Sequence, residues 1–166
     1  MPETMTAKNL IPTEAERLDF ARKVWLQLLE TARRLRPLAD HVFQERTPEG
    51  FKAVRYTAGE SWDNLKELVG EGDRRSEGSA SILGACRKLE EALSDSKYDL
   101  LSIAALAHMA ETVDAGTFPE ATTTDYGNAI DRLVWTLEER IGGSWCESDS
   151  ALPERWAATH LDQQAS

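Results

Sequence analysis

The chain has 166 residues, of which 41% are hydrophobic and 29% are charged. This composition is typical of a globular domain with its own core and excludes a disordered segment. The net charge of −10 is uneven: residues 1–60 carry ten Lys/Arg and nine Asp/Glu (+1), whereas residues 61–166 carry nine and twenty (−11). Because phosphate contacts require clustered Lys and Arg, we expect no direct nucleic-acid binding.

The sequence also bears on the cellular compartment. The first twenty residues lack the apolar segment of a secretory signal peptide. No apolar run approaches the ~20 residues of a membrane span. Cys86 and Cys146 form no CxxC pair, which is typical of reduced thiols. We therefore expect a cytoplasmic protein without a membrane contact.

The first predicted helix follows a flexible leader, residues 1–12. "TEAE" from Thr13 to Glu16 forms a capping box, in which each side chain bonds the backbone N–H of the other residue. Pro37 predicts an end or a kink, followed by a short continuation through Val42. Apolar residues recur at helical spacing before this proline: Leu18, Ala21, Trp25, Leu28, Leu29, Ala32 and Leu35.

The middle of the chain contains several turn signals. "TPEGF" favours a connection over residues 47–60, after which Ser61 caps a short helix that ends at Gly70. Residues 70–79 contain no apolar side chain, so they predict an exposed polar loop. A helix over residues 81–94 follows, and "SDSK" separates it from the next one.

"YDLLSIAALAHMAETVDAG" contains the most apolar run of the chain and predicts a helix over residues 99–115 that Gly116 ends. This helix is apolar on two sides, as is typical of a central helix. The second side is rich in small residues and contains His108. We expect His108 to face a neighbouring helix and to make a structural hydrogen bond. The alternative is a general base or a pH-sensitive group.

The last elements are an amphipathic helix that Gly142 and Gly143 stop, and a tail with Pro153 at the start of a short helix. The stripe of the amphipathic helix is formed by Ile130, Leu133, Val134, Leu137 and Ile141. The pattern predicts an all-α, single-domain bundle of five or six helices. Its expected divisions are the leader 1–12, the helical bundle 13–143 and the C-terminal tail 144–166.

The five tryptophans fall into two groups. Trp25, Trp62 and Trp135 lie in predicted helices and are interpreted as core residues. Trp145 and Trp156 lie in the polar tail, where exposed tryptophans favour an interface with a partner. The alternative is that the tail folds back and both indoles pack on the bundle.

Motifs of known catalytic chemistry are not found in the sequence. His41, His108 and His160 have no second ligand at a metal-binding spacing. There is no GxSxG elbow, no P-loop and no dinucleotide fingerprint. We therefore assign no catalytic, cofactor-binding or metal-binding residue.

One acidic pattern suggests an alternative. Glu90 and Glu91 are followed by Glu111 and Asp114 at ExxD spacing. This resembles the MazG-like nucleotide pyrophosphohydrolases, all-α enzymes that bind Mg²⁺ with EExxE and ExxD motifs on consecutive helices. The first motif departs from the family at its third acid, where this chain has Ser94. A second alignment, on "DLLSIAALA", places Ser96 where the motif has glutamate.

Two functions follow from the sequence. The first is a non-enzymatic, acidic accessory or regulatory factor that binds a protein partner or a second copy of itself. A special form is an inhibitor whose carboxylates mimic the charge of a nucleic acid. The alternative is the Mg²⁺-dependent hydrolase, which requires Glu90, Glu91, Glu111 and Asp114 to converge on one cavity.

Overall fold

The computed structural model describes residues 11–74, 80–112, 120–142 and 152–161. These residues contain six helices and no strand, which confirms the predicted all-α bundle. The helices are α1 (Glu14–Gln44), α2 (Pro48–Asp73), α3 (Ile82–Ala85), α4 (Arg87–Thr112), α5 (Glu120–Arg140) and α6 (Leu152–Thr159). The predicted leader lies almost wholly outside the described residues.

The four long helices form a closed ring. α1 packs against α2 and α5, and α4 packs against the same two helices from the opposite side. Bonds between the start of one helix and the end of the next show that neighbours are antiparallel: they are Lys23–Glu71 for α1 and α2, Arg55–Glu111 for α2 and α4, and Trp25–Ile141 for α1 and α5. The architecture is therefore an up-down-up-down four-helix bundle, which α3 and α6 extend.

Helix α1 begins as predicted, and both hydrogen bonds of the capping box at Thr13 are present. The predicted helix end at Pro37 is wrong, because the helix continues through it to Gln44. Proline removes one backbone hydrogen bond from a helix interior. Fully buried residues on both sides of Pro37, namely Leu35 and Ala39, hold this segment against the bundle and offset that loss.

Helix α2 corrects the predicted connection over residues 47–60. Thr47 is the N-cap and Pro48 the first helical residue, so the turn signal "TPEGF" is a helix start. The helix then passes Ser61 and Gly70 without interruption. One buried stripe explains this continuity, and it consists of Phe51, Val54, Ala58 and Leu65.

The predicted helix boundary at "SDSK" is also wrong. The structure has one helix over Arg87–Thr112 in place of the two predicted ones, and "SDSK" lies inside it. Ser96 is fully buried and donates its hydroxyl hydrogen bond to the Ala92 carbonyl, so it packs in the helix instead of capping one. The boundary between two helices lies earlier in the sequence, at Cys86, which separates α3 from α4. The predicted stop at Gly116 lies outside the described residues.

The three tryptophans that were predicted to be core residues differ in their burial. Trp25 is a core residue, whereas Trp62 is only partly buried. The core prediction for Trp135 is wrong, since this side chain is 57% exposed. The buried stripe of α5 passes through Ile130, Val134 and Leu137, and Trp135 lies about 100° away from it around the helix.

Two indoles cap the C-terminal end of α5. The last carbonyls of a helix lack intrahelical partners. Here Trp25 Nε1 donates to the Ile141 carbonyl at 3.0 Å, and Trp156 Nε1 donates to the Arg140 carbonyl at 2.7 Å. Gly142 follows with a φ of 113°, a value that favours glycine. These bonds join α1, α5 and α6, the short tail helix that the sequence predicted.

Gly127 should be intolerant of a side chain. A Cβ at this position would lie 2.8 Å from the Val42 carbonyl oxygen of α1. We expect Gly127→Ala to destabilise the protein by about 1–3 kcal/mol, because the two backbones must separate. Urea unfolding followed by circular dichroism measures this change.

Gly59 provides the matched control, since a Cβ there meets no atom within 4 Å. Gly59→Ala should stabilise the protein by up to about 1 kcal/mol through helix propensity alone. Equal effects of the two substitutions would contradict the close approach of α1 and α5.

Candidate functional site

An exposed apolar stripe runs along the outer side of α4. Tyr98 is 62% exposed, Leu101 is 42% exposed and Met109 is 50% exposed. Ala105 between them is also exposed. Residues at these spacings lie on one side of a helix. We call Tyr98, Leu101, Ala105 and Met109 the α4 stripe.

His108 lies beside the α4 stripe and is itself exposed. The prediction that it faces a neighbouring helix across a small-residue seam is therefore wrong. Lys97 and Glu111, which share a side of α4 with His108 at helical spacing, contact Trp62 and Arg55 of α2, so His108 lies at the exposed edge of the contact between α2 and α4. Of the predicted second side, Leu101, Ala105, His108 and Thr112 are exposed, whereas Ala104 is partly buried against the core.

One edge of the α4 stripe combines cations with aromatic rings. The Lys97 ammonium lies 5.5 Å from the centroid of Trp62 and 5.6 Å from that of Tyr98. The Lys66 ammonium lies 5.9 Å from the centroid of the same Trp62 ring. These distances are typical of cation–π contacts, which order long lysine side chains at an exposed edge.

The opposite end of this edge contains an ion pair. Arg55 binds both carboxylate oxygens of Glu111, at 2.6 Å and 3.0 Å. This bond lowers the pKa of Glu111, with burial acting in the opposite direction and Arg55, His108 and Lys52 adding charge attraction. Arg55 also lies 4.6 Å from the ring centroid of Tyr56. The paired Glu111 fixes α2 against α4.

The four carboxylates of the hydrolase alternative do not converge. Glu90 lies in the first turn of α4 and Glu91 directly follows that turn, whereas Glu111 is the second-last residue of the helix. Twenty residues at 1.5 Å each separate Glu91 from Glu111 by about 30 Å. Asp114 lies outside the described residues. Within the described ranges, no three His, Cys, Asp or Glu side chains form a group that could hold a metal ion.

A cleft of about 320 Å³ lies where α4, α5 and the end of α6 meet. It has two cations, two carboxylates and an imidazole in its lining, which consists of Lys88, Glu91, Ala92, Asp95, Arg140 and His160. Arg140 is held by Asp99 at 2.6 Å and by the Ser96 hydroxyl at 3.2 Å. The charges are mixed, so the cleft has no strong preference for an anion.

His160 is ordered by the residues around it. Its ring stacks on Trp156 with 3.8 Å between centroids, and its Nδ1 donates to the Trp156 carbonyl at 2.8 Å. The neutral ring therefore carries its proton on Nδ1 and a lone pair on Nε2. Burial lowers the pKa of His160, the bond to Trp156 opposes this shift, and Lys88 reinforces it. The Cys86 thiol donates to the His160 carbonyl.

Of the two candidate interface tryptophans, Trp156 lies among the described residues. Trp156 is 5% exposed and its indole N–H is bonded to α5, so it acts inside this chain as a packing residue. Trp145 lies outside the described residues. Sequence reasoning did not single out the α4 stripe as an exposed apolar surface, although its apolar positions at helical spacing were the available signal.

Comparison with protein-family models, with curated proteins and with solved structures finds no match for this chain. Among the described residues, no helix combines the length and the apolar character needed to cross a membrane.

The Arg55–Glu111 pair should make stability depend on pH. A lowered folded-state pKa means that the unfolded chain binds the proton more readily. The stabilisation is present above about pH 4.3, the unfolded value, and is lost as the pH falls through the lowered pKa. We expect Glu111→Gln to lower the urea midpoint at pH 7 and to differ less from the wild type in acid. Glu67→Gln, at an exposed position of α2, should change neither value.

His160 should also make the stability depend on pH, and here the cause is burial of the ring and not an ion pair. Its folded-state pKa is lowered, so the unfolded chain binds more protons as the pH falls below about 6.5. The free energy of unfolding should therefore decrease from about pH 7 to pH 5. His160→Asn keeps an N–H for the Trp156 carbonyl and should remove this part of the slope. Lys88→Met should reduce the slope, and equal slopes in all three proteins would contradict the assignment.

Proposed function

We propose that this chain is a non-enzymatic helical bundle that binds a protein partner through the α4 stripe. The observation that carries the proposal is the exposure of Tyr98, Leu101 and Met109 on one side of one helix. Exposed apolar side chains that share one side of a helix, unlike singly scattered ones, are a feature of interaction sites. Tyrosine and methionine are also enriched at protein interfaces.

The geometry gives less support to the hydrolase alternative. A Mg²⁺ site needs several oxygen ligands around one ion. Glu91 and Glu111 lie at opposite ends of α4, and Glu111 is already bound by Arg55. We therefore do not extend the proposal to nucleotide hydrolysis.

A partner could alternatively be bound by carboxylates that mimic the charge of a nucleic acid. This arrangement requires rows of unpaired carboxylates, but arginines and lysines of the same chain bind acids on each long helix. Examples are Asp40 on α1, Glu60 on α2, Asp99 on α4 and Asp131 on α5. A charge mimic would bind its partner with an affinity that falls steeply with salt. Contact through the α4 stripe predicts a weak salt dependence.

Leu101→Glu should weaken the binding of the partner. A charge in the middle of the α4 stripe must be desolvated in the complex, and we expect at least a tenfold loss of affinity, or about 1.4 kcal/mol. Affinity capture from an extract of the source cells, quantified by mass spectrometry, measures this loss. Circular dichroism should show an unchanged fold, because Leu101 is exposed.

Trp135→Glu is the matched control, because Trp135 is an exposed apolar residue on α5 rather than on the stripe. It should capture the same proteins as the wild type. Capture that is equal for wild type and Leu101→Glu would overturn the α4 stripe as the binding surface.

A further inference from the structure

We propose that α6 is a strap that opens while the four-helix ring stays folded, and that its opening uncovers the thiol of Cys86. This property is separate from the α4 stripe and from the partner proposed for it. It follows from the length of α6, from the few side chains that dock it and from the position of the Cys86 thiol beside its end.

Helix α6 is too short to be stable alone. It has eight residues, Leu152–Thr159, whereas an isolated helix below about 12–15 residues is marginal in water. Its helical form therefore depends on docking against the rest of the chain. A docked segment of this size is expected to open and unfold as one local unit.

Few buried side chains dock α6. Trp156 and Ala157 are its buried residues, whereas α1 has ten buried apolar residues. The Arg22–Glu154 ion pair joins α1 to α6 at 2.9 Å, but its two side chains are 43% and 49% exposed. An ion pair in such a position contributes little free energy. Docking of α6 is therefore weak compared with the packing of the four-helix ring.

Two hydrogen bonds also cross from this segment to other elements. Trp156 Nε1 donates to the Arg140 carbonyl, and the Cys86 thiol donates to the His160 carbonyl. When α6 opens, water can replace the partner in each bond, so no polar group is left buried without one. The stacking of His160 on Trp156 lies within the segment and does not resist its opening.

The opening changes the surroundings of Cys86. This side chain is fully buried, and its Sγ lies 2.7 Å from the His160 carbonyl oxygen. The thiol is thus directed at the residue that follows α6. Because a thiol reacts only where a reagent can reach its sulfur, docked α6 protects Cys86 and open α6 exposes it.

Labelling of Cys86 by an aromatic disulfide reagent, in a Cys146→Ser protein, tests the proposal. The native protein should react at least about a hundredfold more slowly than the protein unfolded in urea. Below the unfolding transition, the rate should change little with urea, because opening α6 exposes little surface. A rate that rises with urea as steeply as global unfolding would overturn the proposal, as would a native rate equal to that of the unfolded protein.

Trp156→Phe weakens the strap while keeping an aromatic side chain. Phenylalanine has no N–H for the Arg140 carbonyl, so we expect labelling of Cys86 to be about tenfold faster than in the parent protein. Trp135→Phe is the matched control, because Trp135 is exposed on α5, and it should leave the rate unchanged. Equal rates in all three proteins would contradict the strap.

Hydrogen exchange of the wild type tests the opening without any substitution, and it decides the question if Trp156→Phe does not fold. Mass spectrometry of peptides compares the protection of amides in α6 with that of amides in α1 between Val24 and Leu35. We expect at least about tenfold weaker protection in α6. Equal protection of the two segments would mean that α6 opens only when the whole chain unfolds, and the proposal would be wrong.

Discussion

Helix α1 is the element on which the bundle depends, because its buried side is wide enough for several neighbours. Its buried apolar residues are Phe20, Ala21, Val24, Trp25, Leu28, Leu29, Ala32, Leu35, Ala39 and Val42. Different parts of this side contact α2, α5 and α6. Helix α4 lies diagonally across the ring from α1, and α2 and α5 cover the two edges of its inner side. This arrangement leaves the outer side of α4 in solvent.

Arginine–carboxylate pairs join every pair of neighbours in the ring. They are Arg34–Glu60, Arg55–Glu111, Arg140–Asp99 and Arg36–Asp131. Partly exposed ion pairs contribute little net free energy. A shift of one helical turn between two helices would nevertheless leave both charges of a pair without their partners. We infer that these pairs select one register for the ring while apolar burial supplies most of its stability.

The sequence predicts the existence of helices better than their ends, and particular residues show why. The capping box at Thr13 is a local signal, since all its atoms lie within one turn, and it is confirmed. Pro37 and Gly70 are equally strong local signals for a helix end, but both lie inside helices. Neighbouring helices provide the stabilisation that offsets these residues, and a single sequence does not contain that information.

The exposed Trp135 and His108 illustrate the same limit for the candidate site. Periodicity detects apolar positions on α4 and α5 but does not show which sides of a helix have neighbours. The ring determines this, because each of its helices buries only the sides that meet adjacent helices. Trp135 lies about 100° around α5 from the buried Val134, and His108 is exposed at the edge of the contact between α2 and α4.

The apolar residues on the inner and outer sides of α4 therefore have different physical explanations. Packing within the chain accounts for Leu100 and Ile103, which are fully buried. It does not account for Tyr98, Leu101 or Met109, whose exposed apolar area in a lone chain has an unfavourable hydration free energy. Polar residues at these three positions would leave the ring unchanged. The proposed contact with a protein partner at the α4 stripe would bury this apolar area.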